Sequence, residues 1–329
     1  MREKLFGLID NKMFKLAIFI LAFSIPLVIK SFYVLHVFIM IFLYSILCLS
    51  YNFISGFAGQ FSIGHAAFYG VGAYTSALFS TRLGVPFWIA IFLAGIVAAL
   101  IGASLAYPTL KLKGVYMTLS TLAFGQVIYI IILNWTSLTN GPYGIKNITI
   151  PSLFGYVVET KDYYYLGLVL LIISYIVIKR VLVSKTGRAI IAMNEDSIVA
   201  NSMGVNITRC RLFAFSFSAF FAGIAGSFFA HYVTFVSADS FMLAESTTML
   251  AMLLLGGLNS LPGSIIGPAV LLIASELMSG IYEYRMLIYG LIIIIFIIFL
   301  PKGLLGGIPL GMRKESIEYI NNKLNKQSS

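Results

Sequence analysis

Of the groups that most often ligate metals or shuttle protons, 329 residues offer three histidines, two cysteines and twelve acidic side chains, and they are scattered. No HExxH, CxxC or close His/Cys/Asp grouping brings metal ligands together in the sequence. No GxxxxGK[ST] loop is present to cradle nucleotide phosphates. A membrane-embedded enzyme would need a clustered nucleophile, base or metal site, and none is found. One grouping stands out. His65 lies among Gln60, Ser62, Gly64 and Tyr69 in SGFAGQFSIGHAAFYGVGAY (55–74), where hydrogen-bonding groups sit on a backbone rich in Gly and Ser. Such residues disfavour a continuous helix, and polar groups at membrane depth need a partner, a cavity or a solute. Two readings stay open for His65: a role in a path or gate, or a structural hydrogen-bond hub.

The elements that must position these residues follow from composition. With 60% apolar and 10% charged residues and a mean hydropathy of +0.96, the chain has more apolar surface than a water-soluble core can hide, so a bilayer is its solvent. A helix needs about 20 apolar residues to cross the hydrocarbon. The expected fold is all-α, a polytopic bundle of about ten spans near 14–32, 34–54, 57–80, 86–107, 115–134, 164–179, 211–233, 245–258, 264–280 and 285–301. The N-terminus has a basic start and an apolar stretch without a small-residue cleavage site, and reads as a retained first span. An even number of spans puts both termini on one side. Placing them in the cytoplasm leaves only Lys30, Arg82, Lys146, Lys161 and Arg285 of the 22 basic residues outside, as the positive-inside rule requires. The net charge of +10 therefore belongs to short loops facing anionic lipid, not to a nucleic-acid surface. Cys48 is expected in a span and Cys210 at a cytoplasmic helix end, where a disulfide does not form.

A second weak stretch, GGLNSLPGSIIGP (256–268) with Gly256 and Gly257, matches the first. A pair of Gly/Pro-interrupted segments in the two halves of a transporter points to an inverted repeat of broken helices around a path at the midplane. The competing reading is close helix packing through small residues such as Gly70 and Gly72. His36 and His231 are expected as polar rings near interfaces. Glu245 is expected at the external interface and Glu276 in or near it, too few intramembrane acids for a proton relay. The external loop 135–163 contains TNGPYGIKNI, which favours turns. The internal loop 180–210 spaces its apolar residues as two short amphipathic helices about the acidic pair Glu195 and Asp196, and Gly204 suits a left-handed helix end. That pair reads either as a solvated face or as the rim of a docking helix.

The string GQFSIGHAAFYGVGAY resembles the glycine-rich signature of the branched-chain amino-acid permeases of ABC importers, the LIV-type family that includes urea permeases. EDSIVANSMGVN resembles its coupling segment and GGLNSLPGSIIGPAV its late Gly-rich motif, in the same order, with likeness over roughly 35–310. Ile198 stands where importers in general carry Glu, Asn259 where a glycine is usual, and TNGPYG lacks a second glycine. The resemblance implies a permease domain over 1–310 with a cytoplasmic tail over 311–329. It also implies two cytoplasmic ATPase subunits that bind the ATP, a homologous second permease and an external solute-binding protein, with no cofactor in this chain. Glu195, Asp196, Ala200, Gly204, Val205 and Asn206 would dock in the ATPase. Gln60, Ser62, Gly64, His65, Tyr69, Gly256 and Gly257 would line the path. Branched-chain amino acids are the implied solutes, urea or a short amide the alternative, and an ion-coupled secondary transporter the rival class.

Overall fold

The computed structural model describes residues 23–26, 31–110, 112, 114–153, 156–277, 290 and 303–305. Among the described residues, ten helices of six residues or more carry the architecture: α1 (Phe32–Tyr51), α2 (His65–Leu83), α3 (Phe87–Thr109), α4 (Val115–Asn134), α5 (Thr160–Val183), α6 (Lys185–Glu195), α7 (Ser197–Ser202), α8 (Ile207–Val233), α9 (Leu243–Gly256) and α10 (Gly263–Leu277). Among the described residues, six segments are long and apolar enough to cross a membrane. Apart from residues 23–26, 31, 32 and 290, the expected spans over 14–32 and 285–301 lie outside the described residues, as does the tail over 311–329.

Helix α8 is the axis of the bundle, lying against α1, α2 and α3. It can do so because small residues let backbones approach. A Cβ on Gly72 of α2 would come within 2.3 Å of the Gly223 Cα, and one on Gly226 within 2.2 Å of the Tyr69 carbonyl oxygen. In lipid, where apolar contact with a neighbour gains nothing over contact with a tail, this close packing is what holds helices together. Gly70 meets the Phe241 ring in the same way. The packing reading of the glycines therefore holds for Gly70 and Gly72.

Two expected spans need correction. The 34–54 span begins at Phe32 and runs on through a π-helix, Asn52–Phe57, making a rod of 26 residues. The 57–80 span does not begin until His65, because residues 58–64 are irregular. Its backbone is held instead by i→i+5 and longer bonds, Ala58 N–H to the Phe53 carbonyl (3.1 Å) and Gln60 N–H to the Ile54 carbonyl (2.9 Å). The loop over 135–163 turns at Asn140 in a left-handed conformation and passes through a 3₁₀ turn, Gly141–Tyr143, as its sequence predicts. It then forms two-residue antiparallel ladders: β1 (Ile145–Lys146) pairs with β4 (Phe235–Val236), and β2 (Ser152–Leu153) with β3 (Tyr156–Val157).

After β4 the chain turns back inward. A 3₁₀ turn, Ala238–Phe241, seats the Phe241 ring edge-on to Tyr69, 4.9 Å between centroids. Helix α9 therefore starts inside the bundle, and its own 14 residues, about 21 Å long, reach the length of a span only together with that turn, as Ala238–Gly256.

Candidate functional site

The break between α1 and α2 is built from polar groups that hold an unwound backbone in place. A π-helical turn widens the helix by one residue per turn and leaves carbonyls free, a feature common at functional sites. The Tyr51 hydroxyl donates to the Ser62 carbonyl across the break. Ser55 Oγ donates to the Gln60 carbonyl at 3.3 Å, and Gln60 Nε2 donates to Ala58 at 3.1 Å. From α4, Thr121 Oγ1 accepts the Ile63 N–H at 3.1 Å, and a Cβ on Gly64 would strike the Thr121 carbonyl. Gly64 is thus the point where α2 can start against α4.

His65 opens α2 with no exposed surface and its ring stacked on Tyr51, 4.7 Å between centroids and 9° between planes. Ser50 Oγ spends its one hydrogen on the Leu47 carbonyl (2.8 Å), so its 2.9 Å contact with His65 is donated by the histidine Nε2–H. Nδ1 then carries a lone pair, and it has no hydrogen-bond partner among the described residues. His65 is both things at once: it ties α1 to α2, and it keeps one acceptor free.

The second break, residues 257–262, is bonded to the first. Asn52, the first residue of the π-helix, accepts the Asn259 N–H (3.0 Å) and donates to the Ser260 carbonyl (3.0 Å) and to Ser264 Oγ (2.8 Å). Gly257 has φ +108°, a conformation that residues with a Cβ rarely take. Gly256 is filled by packing, since its Cβ would meet the Gly263 carbonyl oxygen at 2.0 Å. Asn259 itself adopts a left-handed φ of +62°, which Asn tolerates better than other side-chain-bearing residues.

Helices α6 and α7 form at 185–202 as the apolar spacing predicts. Gly187, Ile190 and Met193 turn inward, and Ser184 Oγ caps α6 at the Gly187 N–H. Asp196 is the N-cap of α7, its Oδ1 accepting from Ile198 (2.8 Å) and Val199 (3.1 Å), a satisfaction of orphan donors that fixes where the second helix starts. Glu195 is exposed beside it. Ala200 is buried under α7, which ends in a Schellman motif: Val205 N–H bonds to the Ala200 carbonyl and Gly204 N–H to that of Asn201, with Gly204 at φ +85°. Asn206 then caps α8 through Arg209 N–H. The opposite face of α7 is apolar yet exposed, Ile198 at 72%, Val199 at 58% and Met203 at 81%.

One contact joins this surface unit to the break. Asn194, near the end of α6, donates from Nδ2 to the Gly56 carbonyl of the π-helix at 3.0 Å, with its amide packed where a Cβ on Gly59 would stand. A continuous chain therefore runs from α6 through Asn194, Gly56 and Asn52 to Asn259 and Ser260. Neither Asn52 nor Asn194 was singled out from the sequence, although an asparagine inside an apolar run (SYNFISG) is itself a signal.

The structure gathers Gln60, Ser62, Gly64 and His65 in the first break. Tyr69 stands one turn further along α2 between Phe229 and Phe241, and Gly256 and Gly257 lie at the α9–α10 turn. Two expectations are corrected. His231 is fully buried rather than interfacial, held by Ser76 Oγ at 2.9 Å and the Thr149 carbonyl at 2.7 Å. Glu245 is not at the external surface either: it accepts a hydrogen bond from Tyr44 on α1, because the inward turn of 235–242 carries the start of α9 into the bundle. Cys48 and Cys210 are free and buried. Among the described residues no group of three His, Cys, Asp or Glu is placed to hold a metal.

Residues 33–297 match the family described as branched-chain amino acid transport system, permease component. The chain is 36% identical to the high-affinity branched-chain amino acid transport system permease protein LivM of Salmonella typhimurium, over 90% of this chain and 75% of that protein, and equally to LivM of Escherichia coli K12. It is 26% identical to LivH of Escherichia coli K12 over 80% of this chain and 91% of that protein. No solved structure matches it.

Proposed function

The chain belongs to the family of permease components of branched-chain amino acid transport systems, and from that premise we propose that it is the membrane half of an ABC importer, moved through α6 and α7 by ATPases it does not contain. It is a multi-pass membrane transport component, not an enzyme. The solutes are leucine, isoleucine and valine, received from an external binding protein. Likeness to both LivM and LivH supports pairing with a second, homologous permease. Two cytoplasmic subunits bind and hydrolyse the ATP, and no cofactor is assigned to this chain. Ten spans with both termini in the cytoplasm agree with the distribution of Lys and Arg, and the two bonded breaks support an inverted repeat whose halves meet at 52–64 and 257–262.

The observation that carries the mechanism is the pairing of α7's exposed apolar face with the hook that Asn194 sets into the π-helix. Ile198, Val199 and Met203 are the kind of anchors an amphipathic helix lays into a partner's groove, with Glu195 and Asp196 at the rim to fix register. When the ATPases close on ATP, α6 is displaced and draws Gly56 with it. Asn52 passes that displacement to the second break, so both irregular segments rearrange together and the path changes the side it faces. Polar networks with two discrete arrangements are suited to such transmission, because every member must be satisfied in each state.

Copurification tests the docking face. With Ile198→Glu and Met203→Glu together, the sister permease remains bound, while ATPase subunits recovered with the complex fall about tenfold or more, as for loss of two apolar hot spots. Unchanged ATPase recovery contradicts this role for α7.

A further inference from the structure

Seven buried side-chain polar atoms lack a hydrogen-bond partner among the described residues, and six of them lie on α1, the first break, α2 and the first turn of α9. The six are Ser45 Oγ, Gln60 Oε1, Ser62 Oγ, His65 Nδ1, Tyr74 Oη and Glu245 Oε1. Three of these, in Gln60, His65 and Glu245, can only accept once their other bonds are assigned. Buried acceptors left without donors are costly, and a run of them along one path is explained by a ligand that brings donors.

Glu245 is the charged member, and its depth can be read from α1. Its partner Tyr44 is the thirteenth residue of the 26-residue rod Phe32–Phe57, about 18 Å from the outer end at 1.5 Å per residue and so close to the middle. Cys48 and Tyr69 lie within electrostatic reach of the carboxyl group. The next residue, Ser246, accepts the Ala66 N–H of α2 at 2.9 Å, which sets Glu245 near the start of α2. No Lys or Arg is recorded against it among the described residues. A carboxyl group at mid-membrane needs a cation or a proton, and such residues in transport proteins mark the path of the transported species. A branched-chain amino acid carries one cation, an α-ammonium with three donors and no acceptor.

We propose that Glu245 receives the α-ammonium group of the solute at mid-membrane, through the Oε1 that Tyr44 leaves free. Oε1 is sealed in this conformation, so the ammonium group meets it in the occluded stage of the cycle. This inference rests on the permease reading above, and deepens it by naming the group that recognises an amino acid as distinct from an uncharged solute.

The test uses the whole importer, with sister permease, ATPases and binding protein, in proteoliposomes supplied with radiolabelled leucine. Glu245→Gln keeps the shape and removes the charge. Leucine uptake is expected to fall by about tenfold or more, the scale of a lost charge-assisted hydrogen bond, while complex assembly and ATP hydrolysis stimulated by the binding protein persist. Glu245→Asp, which keeps the charge on a shorter arm, is expected to raise the KM for leucine while retaining more than half of the maximal uptake, and it is the variant to read if Glu245→Gln does not assemble. Uptake by Glu245→Gln within twofold of the unmodified importer, or an unchanged KM in Glu245→Asp, overturns the inference. If the unmodified importer accumulates no branched-chain amino acid, the permease reading itself fails, a result separable from either of these.

Discussion

The helix pair α6–α7 and the first break are both irregular interruptions of a helical bundle, but they are tied down in different ways. In α6–α7 nearly every bond is local: Ser184 and Asp196 cap their own helices, the Schellman motif closes on Gly204, and Asn206 caps the helix that follows. The break has local bonds of its own, such as Tyr51 to Ser62 and Ser55 to Gln60, but it is tied to its neighbours by long-range ones, from Asn52 to Ser260, Ile63 to Thr121, Ala66 to Ser246 and Asn194 to Gly56. A locally bonded unit can move as a rigid body. A segment held by its neighbours changes when they change. The comparison teaches why a handle and a hinge are built from different residues, and why the two meet at a single side-chain amide.

The strongest way to break that comparison is to wedge apart the neighbours that hold the hinge. Gly72→Leu places a side chain where the Gly223 backbone lies 2.3 Å from the first added carbon, an overpacking with no flexible atom to yield. Loss of folded, detergent-extractable protein is expected, read by size-exclusion chromatography of a fluorescent fusion. An intact monodisperse peak would show that α2 and α8 do not pack as described.

A smaller effect is expected where a local unit is strained without a clash. Gly204→Ala meets open space, yet holds φ +85° against its Cβ. The cost is about 1 kcal/mol, enough to loosen the end of α7 and weaken ATPase association severalfold without unfolding the chain. Copurification yields measure it, and an effect as large as that of Gly72→Leu would mean the α6–α7 unit is not independent of the core.

How much of this could be read from the sequence follows the same division. The α6–α7 pair, its boundary at Asp196 and the left-handed Gly204 were legible, because capping and spacing are local codes. The Gly- and Ser-rich stretches correctly marked both breaks. Their geometry was not legible: the helix expected from 57 begins at His65, since its start is set by Gly64 against the Thr121 carbonyl of a distant helix. The depth of Glu245 was missed for a related reason, namely that an inward turn at 235–242 has no periodic signature. Asn52 and Asn194 were not singled out, because their partners lie about 200 and 140 residues away.

The central claim is that Asn194 couples handle to hinge, and the ratio of leucine taken up to ATP hydrolysed in the reconstituted importer tests it most directly. In Asn194→Ala the ATPases still dock and hydrolyse, while leucine transported per ATP falls about tenfold, in keeping with the loss of the hydrogen bond by which Asn194 holds the Gly56 carbonyl of the π-helix. A ratio equal to that of the unmodified importer would contradict the account.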